Sequence, residues 1–178
     1  MRASDDGARA GEILTAFLRR SYHAVDGLWF VTTEEECGFE RALELDQRVW
    51  EVMAKIQARK ARELTGSKGN SPEELARCFS LKLTADGHDF EVSVTSGEVR
   101  YLVRSCPWLE LMRKSDRRHL AAKVAQTICP TEGRTWCAEF GGQYEFAMPQ
   151  MGCAGGGSCE LRFTRSAGHE DGGAASRR

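Results

Sequence analysis

The chain has 178 residues, and its 25 basic and 26 acidic side chains leave a formal net charge of −1. Its length suits one domain with a buried core. Because the charges balance, no field of one sign attracts nucleic acid or an anionic membrane surface, and we expect neither as a partner. The N-terminal residues lack the apolar stretch of a signal peptide, and no long apolar run occurs elsewhere. This pattern predicts a cytoplasmic protein.

The N-terminal part of the chain shows helical periodicity after a short polar segment. Residues 1–9 are polar and mixed in charge, which predicts a flexible N-terminus. Apolar side chains at helical spacing over residues 10–23 predict a helix. The dipeptide Asp26-Gly27 is a turn signal, so we expect the helix to break there and a second helix to follow.

Two further helices carry clearer end signals. A long helix is predicted from Phe39 to Leu64, with Gly66 ending it. Ser71 precedes a proline and stands three residues before Glu74, the pattern of a capping box. It predicts a short helix that continues through Phe79.

Beyond residue 88 the apolar residues alternate with polar ones, which is the period of a β-strand. Helical spacing returns only over residues 117–128 and 132–140. Ser96-Gly97 is a turn signal that makes the first two strands a hairpin. The strands are predicted over residues 89–94, 98–104, 143–149 and 158–164.

These elements predict an α+β fold in which N-terminal helices pack on one face of a small, mainly antiparallel sheet. The domain covers residues 10–164, with a helical half over residues 10–80 and a thiol-rich sheet half over residues 89–164. The segment 165–178 has no apolar residues to bury, so we expect a disordered tail.

One carboxylate interrupts the apolar stripe of the long helix. At 3.6 residues per turn, Asp46 falls among apolar residues that include Trp50. A buried carboxylate requires a partner, so Asp46 is predicted to face inward. The common case is a salt bridge to an arginine of the other half or a position at the rim of the core, and the alternative is a residue that lines a ligand pocket.

The sheet half contains five of the seven cysteines. Cys106 precedes Pro107, and the proline restricts it to an extended backbone at the end of a strand. Cys129 precedes Pro130 in the same way, and Glu132 follows three residues later. A thiol beside a carboxylate suits a nucleophile with an acid or base, or a pair of metal ligands.

Cys153 and Cys159 bracket a glycine-rich loop that includes Gly155, whose backbone can approach a ligand closely. Together with Cys106 and Cys129 they form a candidate set of zinc ligands, although the spacing from Cys153 to Cys159 is wider than in common zinc motifs. The alternative is that the thiols are small buried hydrophobic groups, as most free cysteines are.

Several short segments carry a family resemblance, namely residues 26–30, 42–46, 106–108, 128–132 and 153–163. Together they resemble an uncharacterised prokaryotic family related to the L-2-amino-thiazoline-4-carboxylic acid hydrolases. The segment 153–163 is also similar to the end of 4-vinyl-reductase-type domains, which bind hydrophobic small molecules and can hold zinc. The resemblance implies a small α+β fold with a pocket in the thiol-rich half.

Two functions from different classes follow. The favoured one is hydrolysis of a small heterocyclic or amide-like substrate, with Cys129 as nucleophile or ligand, Glu132 as proton donor or acceptor, and Cys106 in the site. It requires no organic cofactor. The alternative is a binding or sensor module in which thiols hold zinc and three tryptophans enclose a ligand. Those tryptophans are Trp29, Trp50 and Trp108. Exposed thiols would also suit a protein that delivers sulfur or metal to an enzyme.

Overall fold

The computed structural model describes residues 3–155 and 157–166. In chain order, the helices are α1 (Ala3–Cys37), α2 (Phe39–Thr65), α3 (Pro72–Asp86), α4 (Pro107–Lys114) and α5 (Ala121–Glu139), and the strands are β1 (Asp89–Val94), β2 (Glu98–Ser105), β3 (Tyr144–Gln150) and β4 (Cys159–Arg165). Single turns of 3-10 helix lie over Arg118–Leu120 and Gly152–Ala154. None of the helices in the described ranges is long and apolar enough to cross a membrane.

The four strands form one antiparallel sheet in the order β1-β2-β4-β3. The β1–β2 hairpin and the two later strands lie where the alternating pattern predicts them. The α+β fold with N-terminal helices is therefore confirmed. Strand β4 ends at Arg165, and residues 167–178 of the predicted disordered tail lie outside the described residues.

The main core lies between the sheet and helices α2, α3 and α5. Phe79 of α3 is at its centre, with ring centroids 5.0 Å from Trp136, 5.2 Å from Tyr101 and 4.9 Å from Phe163. Such edge-on aromatic contacts add to the burial of apolar area. The opposite sheet face is charged, and Arg100 lies 2.8 Å from Glu160 there.

The predicted end signals of α2 and α3 are confirmed. Gly66 is the left-handed C-cap of α2, and Ser71 and Glu74 form the predicted capping box. Helix α3 does not stop at Phe79, however, but continues to Asp86, where Gly87 caps it with φ of 88°. Those extra two turns carry residues that the sequence analysis did not single out.

The predicted break at Asp26-Gly27 is wrong, because α1 runs without interruption through both residues. It also begins at Ala3, so most of the segment expected to be flexible is helical. A glycine inside a helix costs only about 1 kcal/mol, which packing against α2 and α3 can offset. The chain turns instead at Gly38, whose φ is 81°.

The predicted extended backbone at Cys129 is also wrong, since α5 continues through Pro130. A proline inside a helix removes one hydrogen bond and costs about 3 kcal/mol. Thr131 donates to the carbonyl of Thr127 at 2.8 Å, and Thr135 donates to the carbonyl of Thr131 at 2.9 Å. Contacts with α2 and β3 hold the helix together.

Part of the apolar surface of α1 and α2 remains uncovered. Trp29 is 70% exposed, and Val49 and Ile56, which the helical wheel places in the apolar stripe of α2, are 60% and 57% exposed. The buried face of α2 is formed instead by small residues with Leu43 and Trp50. The two helices therefore pack through a narrower stripe than the sequence indicates.

Candidate functional site

A cavity of about 500 Å³ lies among α1, α2, α4, α5 and the C-terminal end of α3. Its wall contains all four thiols of the candidate set, together with most of the other predicted site residues. These are Cys106, Cys129, Cys153, Cys159, Glu132, Asp46, Trp50 and Trp108. The other lining side chains are mainly apolar ones from α1, α4 and α5. These residues therefore line one cavity, whereas their role remains a prediction.

One part of the cavity wall is built around a buried lysine. Lys82 of α3 is 6% exposed, and its Nζ lies 2.6 Å from Oε1 of Glu132 and 3.3 Å from Oδ2 of Asp86. Burial alone would lower the pKa of Lys82, but the two carboxylates outweigh it and raise the pKa above its ordinary value. Burial raises the pKa of Glu132, and the lysine offsets part of that effect. We call these three residues the lysine cluster.

Two neutral imidazoles accompany the lysine cluster. Burial, with a contribution from Lys82, lowers the pKa of His88 to about 3. Burial also lowers the pKa of His23, whose ring centroid lies 4.4 Å from that of Trp108. Among the described residues, neither Nδ1 of His88 nor Nε2 of His23 has a hydrogen-bond partner. Both line the cavity and leave a polar atom unused.

Burial raises the pKa values of three of the cavity thiols, Cys106, Cys129 and Cys153. Burial raises the pKa of Cys129 well above its ordinary value, and the neighbouring Glu132 adds to the effect. Burial likewise raises the pKa of Cys106 to about 11 and raises the pKa of Cys153. Cys159 accepts a hydrogen bond from the backbone N–H of Gly152 at 3.2 Å. A nucleophilic or metal-binding cysteine needs its thiolate form, which these surroundings disfavour.

The predicted metal set is not assembled as a metal site. Within residues 3–155 and 157–166, no three histidine, cysteine, aspartate or glutamate side chains are placed to hold a metal ion. Gly155, predicted to shape the pocket, caps the 3-10 turn with φ of 106° and is not among the residues that line the cavity.

Cys106 is the N-cap of α4 and has the extended backbone that Pro107 was predicted to impose. The helix itself was not predicted. It matters for the site because it carries Trp108, whose ring lies 5.5 Å from that of Trp50 at an interplanar angle of 90°. The two indoles form an apolar wall of the cavity between α2 and α4.

The cavity wall also contains two carboxyl groups, Asp26 of α1 and Asp46 of α2, which we call the carboxyl pair. Burial raises the pKa of Asp26 to about 6. Burial and the neighbouring Asp26 raise the pKa of Asp46 to about 7. The Trp50 indole N–H lowers the pKa of both carboxyls and so opposes these shifts. Asp46 therefore faces inward, as predicted.

The predicted arginine partner of Asp46 is wrong. None of the ion pairs formed by the described side chains includes either member of the carboxyl pair. The partner of Asp46 is a second carboxyl and an indole N–H. Asp26 was missed because Asp-Gly is a common turn sequence, whereas here it lies in the middle of a helix.

A second, more open groove of about 380 Å³ lies between α1 and α2. Trp29, predicted as a pocket residue, lines this groove and not the large cavity. Four residues line both spaces: Asp26, Phe30, Asp46 and Trp50. The carboxyl pair consequently lies at the boundary between the groove and the large cavity.

Lys82, Asp86, His23 and His88 were also missed. Lys82 and Asp86 are four residues apart, so they share one helix face with the apolar Phe79 and Leu83. That arrangement was a usable signal, because a charged pair on an apolar face needs a partner. It was lost when the helix was predicted to end at Phe79.

Comparisons with known proteins give one match. No curated protein and no solved structure matches the chain, so the resemblance to thiazoline-carboxylate hydrolases stays a prediction. The model of a family of unknown function, DUF6125, matches residues 9–133, which include the carboxyl pair, the lysine cluster, Cys106 and Cys129. Because the match covers more than half of the chain, the protein belongs to the DUF6125 family.

Proposed function

We propose that the protein binds a small, largely apolar molecule in the large cavity. The observation that supports this most directly is the cavity itself, because about 500 Å³ lies within the range of natural ligand sites. Such sites are lined mainly by apolar side chains with a few polar groups that fix orientation. The Trp50–Trp108 wall, the lysine cluster and the carboxyl pair match that description. A cytoplasmic location, expected from the sequence, is part of this proposal.

The raised pKa values of Cys106 and Cys129 favour the binding of an apolar ligand over catalysis by a thiolate. A neutral thiol behaves as a small, polarisable hydrophobic group, so Cys106 and Cys129 extend the apolar wall. This corresponds to the sensor alternative of the sequence analysis, without its zinc ion.

Hydrolysis remains the second candidate. Its support is that Cys129 and Glu132 lie one helical turn apart and both line the cavity. Glu132 could serve as base only after release from Lys82, which it approaches at 2.6 Å. A hydrolase would therefore lose turnover of an amide or thiazoline substrate in both Cys129→Ser and Glu132→Gln, whereas a binding module has no turnover to lose.

Titration with N-phenyl-1-naphthylamine, a neutral apolar dye that brightens in dry sites, tests binding. We expect saturable binding that Ala125→Phe weakens, because Ala125 lines the cavity and a phenyl group there would occupy part of it. Ala122→Phe on the same helix is the matched control, since Ala122 is equally half-buried but does not line the cavity. Circular dichroism checks that both variants fold. Equal dye binding by the two variants would contradict the proposal.

A further inference from the structure

We infer that the carboxyl pair recognises a cationic nitrogen, an ammonium or amidinium group, on the apolar ligand of the large cavity. The inference rests on the proposed function and adds the charge of the ligand. It concerns Asp26 and Asp46, which lie on different helices and meet at the boundary between the cavity and the groove.

The first argument is charge balance. At the lysine cluster, two carboxyl groups surround Lys82, so the protein supplies its own cation. At the carboxyl pair, no lysine, arginine or histidine of the described chain forms an ion pair with either group. Half-buried carboxylates without a cation are unfavourable, and a ligand cation would correct this.

The second argument is hydrogen-bonding capacity. A cation that binds displaces the proton that the raised pKa of Asp46 retains, and the two ionised carboxyl groups then offer about eight acceptor sites. The only side-chain hydrogen bond that affects either group within the described residues comes from the single N–H of Trp50. An ammonium group brings three donors and no acceptor, which matches the sites that remain.

The third argument is an independent unpaired group nearby. His23 is 5% exposed and lies one helical turn before Asp26 on α1. Its ring lines the cavity, and within the described part of the chain its Nε2 has no hydrogen-bond partner. A neutral imidazole nitrogen of this kind can accept from the same cationic group or from a second N–H of the ligand.

The position of the pair sets the orientation of the ligand. Both carboxyls border the apolar wall formed by Trp50 and Trp108, so a charged head at the pair leaves the hydrocarbon body inside the large cavity. The open groove on the other side gives the head group access to water. A primary alkylamine with a medium-length chain has this chemistry.

Displacement of the bound naphthylamine dye by two probes of equal length tests the inference. Decylammonium and 1-decanol share a hydrocarbon chain and differ in charge. We expect decylammonium to bind about tenfold more tightly, the size of one charge-assisted hydrogen bond or ion pair. In the Asp26→Asn/Asp46→Asn double variant, the ratio of the affinities for decylammonium and 1-decanol should fall to about one. The neutral dye should still bind. Glu44→Gln, an exposed carboxylate on α2, is the matched control and should keep the ratio.

The outcomes separate the two proposals. Equal affinities of the parent protein for the two probes would overturn the cation inference. So would an affinity ratio of about ten in the double variant. Neither result contradicts the proposed function. Failure of the dye and of both probes to bind overturns both. Loss of the ratio in Glu44→Gln as well would attribute it to the net charge of the chain and also overturn the inference.

Discussion

The large cavity is lined by two sets of carboxyl groups, but only one set includes a cation of the protein. At the lysine cluster, Lys82 lies within ion-pair distance of Glu132 and Asp86. At the carboxyl pair, burial raises the pKa of Asp26, and burial together with Asp26 raises the pKa of Asp46. Folding therefore supplies the counter-charge at the lysine cluster. At the carboxyl pair, no described side chain supplies one, so the pair can still bind a cation.

The largest effect on stability is expected from removing the cation of the lysine cluster. Lys82→Met leaves two buried carboxylates without compensation, which should lower the free energy of unfolding by about 3–5 kcal/mol. Urea denaturation at neutral pH measures it. Lys60→Met is the control, because Lys60 is exposed and pairs with an exposed glutamate, so a change below about 1 kcal/mol is expected. Similar losses in the two variants would mean that the lysine cluster is no different from a surface pair.

The packing around Gly133, beside Glu132 in sequence, should also differ from the packing around Gly27, beside Asp26. A Cβ at Gly133, beside Glu132, would overlap the ring of Phe146, whereas a Cβ at Gly27, beside Asp26, would meet nothing within 4 Å. Gly133→Ala should therefore cost about 1–3 kcal/mol, since overpacking strains a filled core. Gly27→Ala should gain up to about 1 kcal/mol of helix stability. Thermal denaturation compares them, and destabilisation by Gly27→Ala would contradict the open space found around Gly27.

Stability should depend on pH through the carboxyl pair. The pKa of Asp46 is about 7 in the folded protein against an ordinary 3.8, so the native state retains a proton that the unfolded chain releases. The free energy of unfolding consequently falls as the pH rises from about 4 to about 7. Asp46→Asn removes this penalty, and above that range it should be more stable than the parent by about 1 kcal/mol after allowance for solvent screening.

Denaturation curves measured at several pH values provide the check. Asp26, with a pKa of about 6, adds a smaller loss in the same direction, so Asp26→Asn should show a weaker version of the effect. Glu44→Gln is again the control. Parallel curves for Asp46→Asn and the parent protein would show that Asp46 is not desolvated.

The smallest effect concerns the thiols. Cys37 is the exposed cysteine of the described residues, whereas the cavity thiols are partly buried and burial raises the pKa values of Cys106 and Cys129. Reaction with a chromogenic disulfide at about pH 8 should show one fast thiol and slow ones after it. Cys37→Ser should remove the fast phase and leave stability unchanged. A fast phase that survives in this variant would identify an activated thiol in the cavity and strengthen the hydrolase candidate.

Local signals made much of the fold predictable from the sequence. The capping box at Ser71, the stop at Gly66 and the alternating hairpin residues each act over a few positions, and each lies where predicted. Signals of the same kind failed where packing overrode them. Gly27 and Pro130 both lie inside helices, because contacts with neighbouring elements offset the local cost.

The candidate site was predictable only where one helix face contains the information. Asp46 interrupts its own apolar stripe, so its inward orientation could be inferred, and it is observed. Its neighbour Asp26 lies on another helix, and no periodicity reports such a pairing. Lys82 and Glu132 are likewise brought together only by the packing of α3 on α5, which sequence spacing does not encode.

The strand order β1-β2-β4-β3 has a consequence for biosynthesis. Strand β2 pairs with β4, so Arg100 lies opposite Arg162 and the middle of the sheet joins distant segments of the chain. During translation, the helices and the β1–β2 hairpin emerge first, and one edge of β2 has no partner until residues 159–165 have been made. An unpaired edge is a template for aggregation. We therefore expect the nascent chain to depend on prompt synthesis of β4, or on chaperone protection of that edge, more than its many helices suggest.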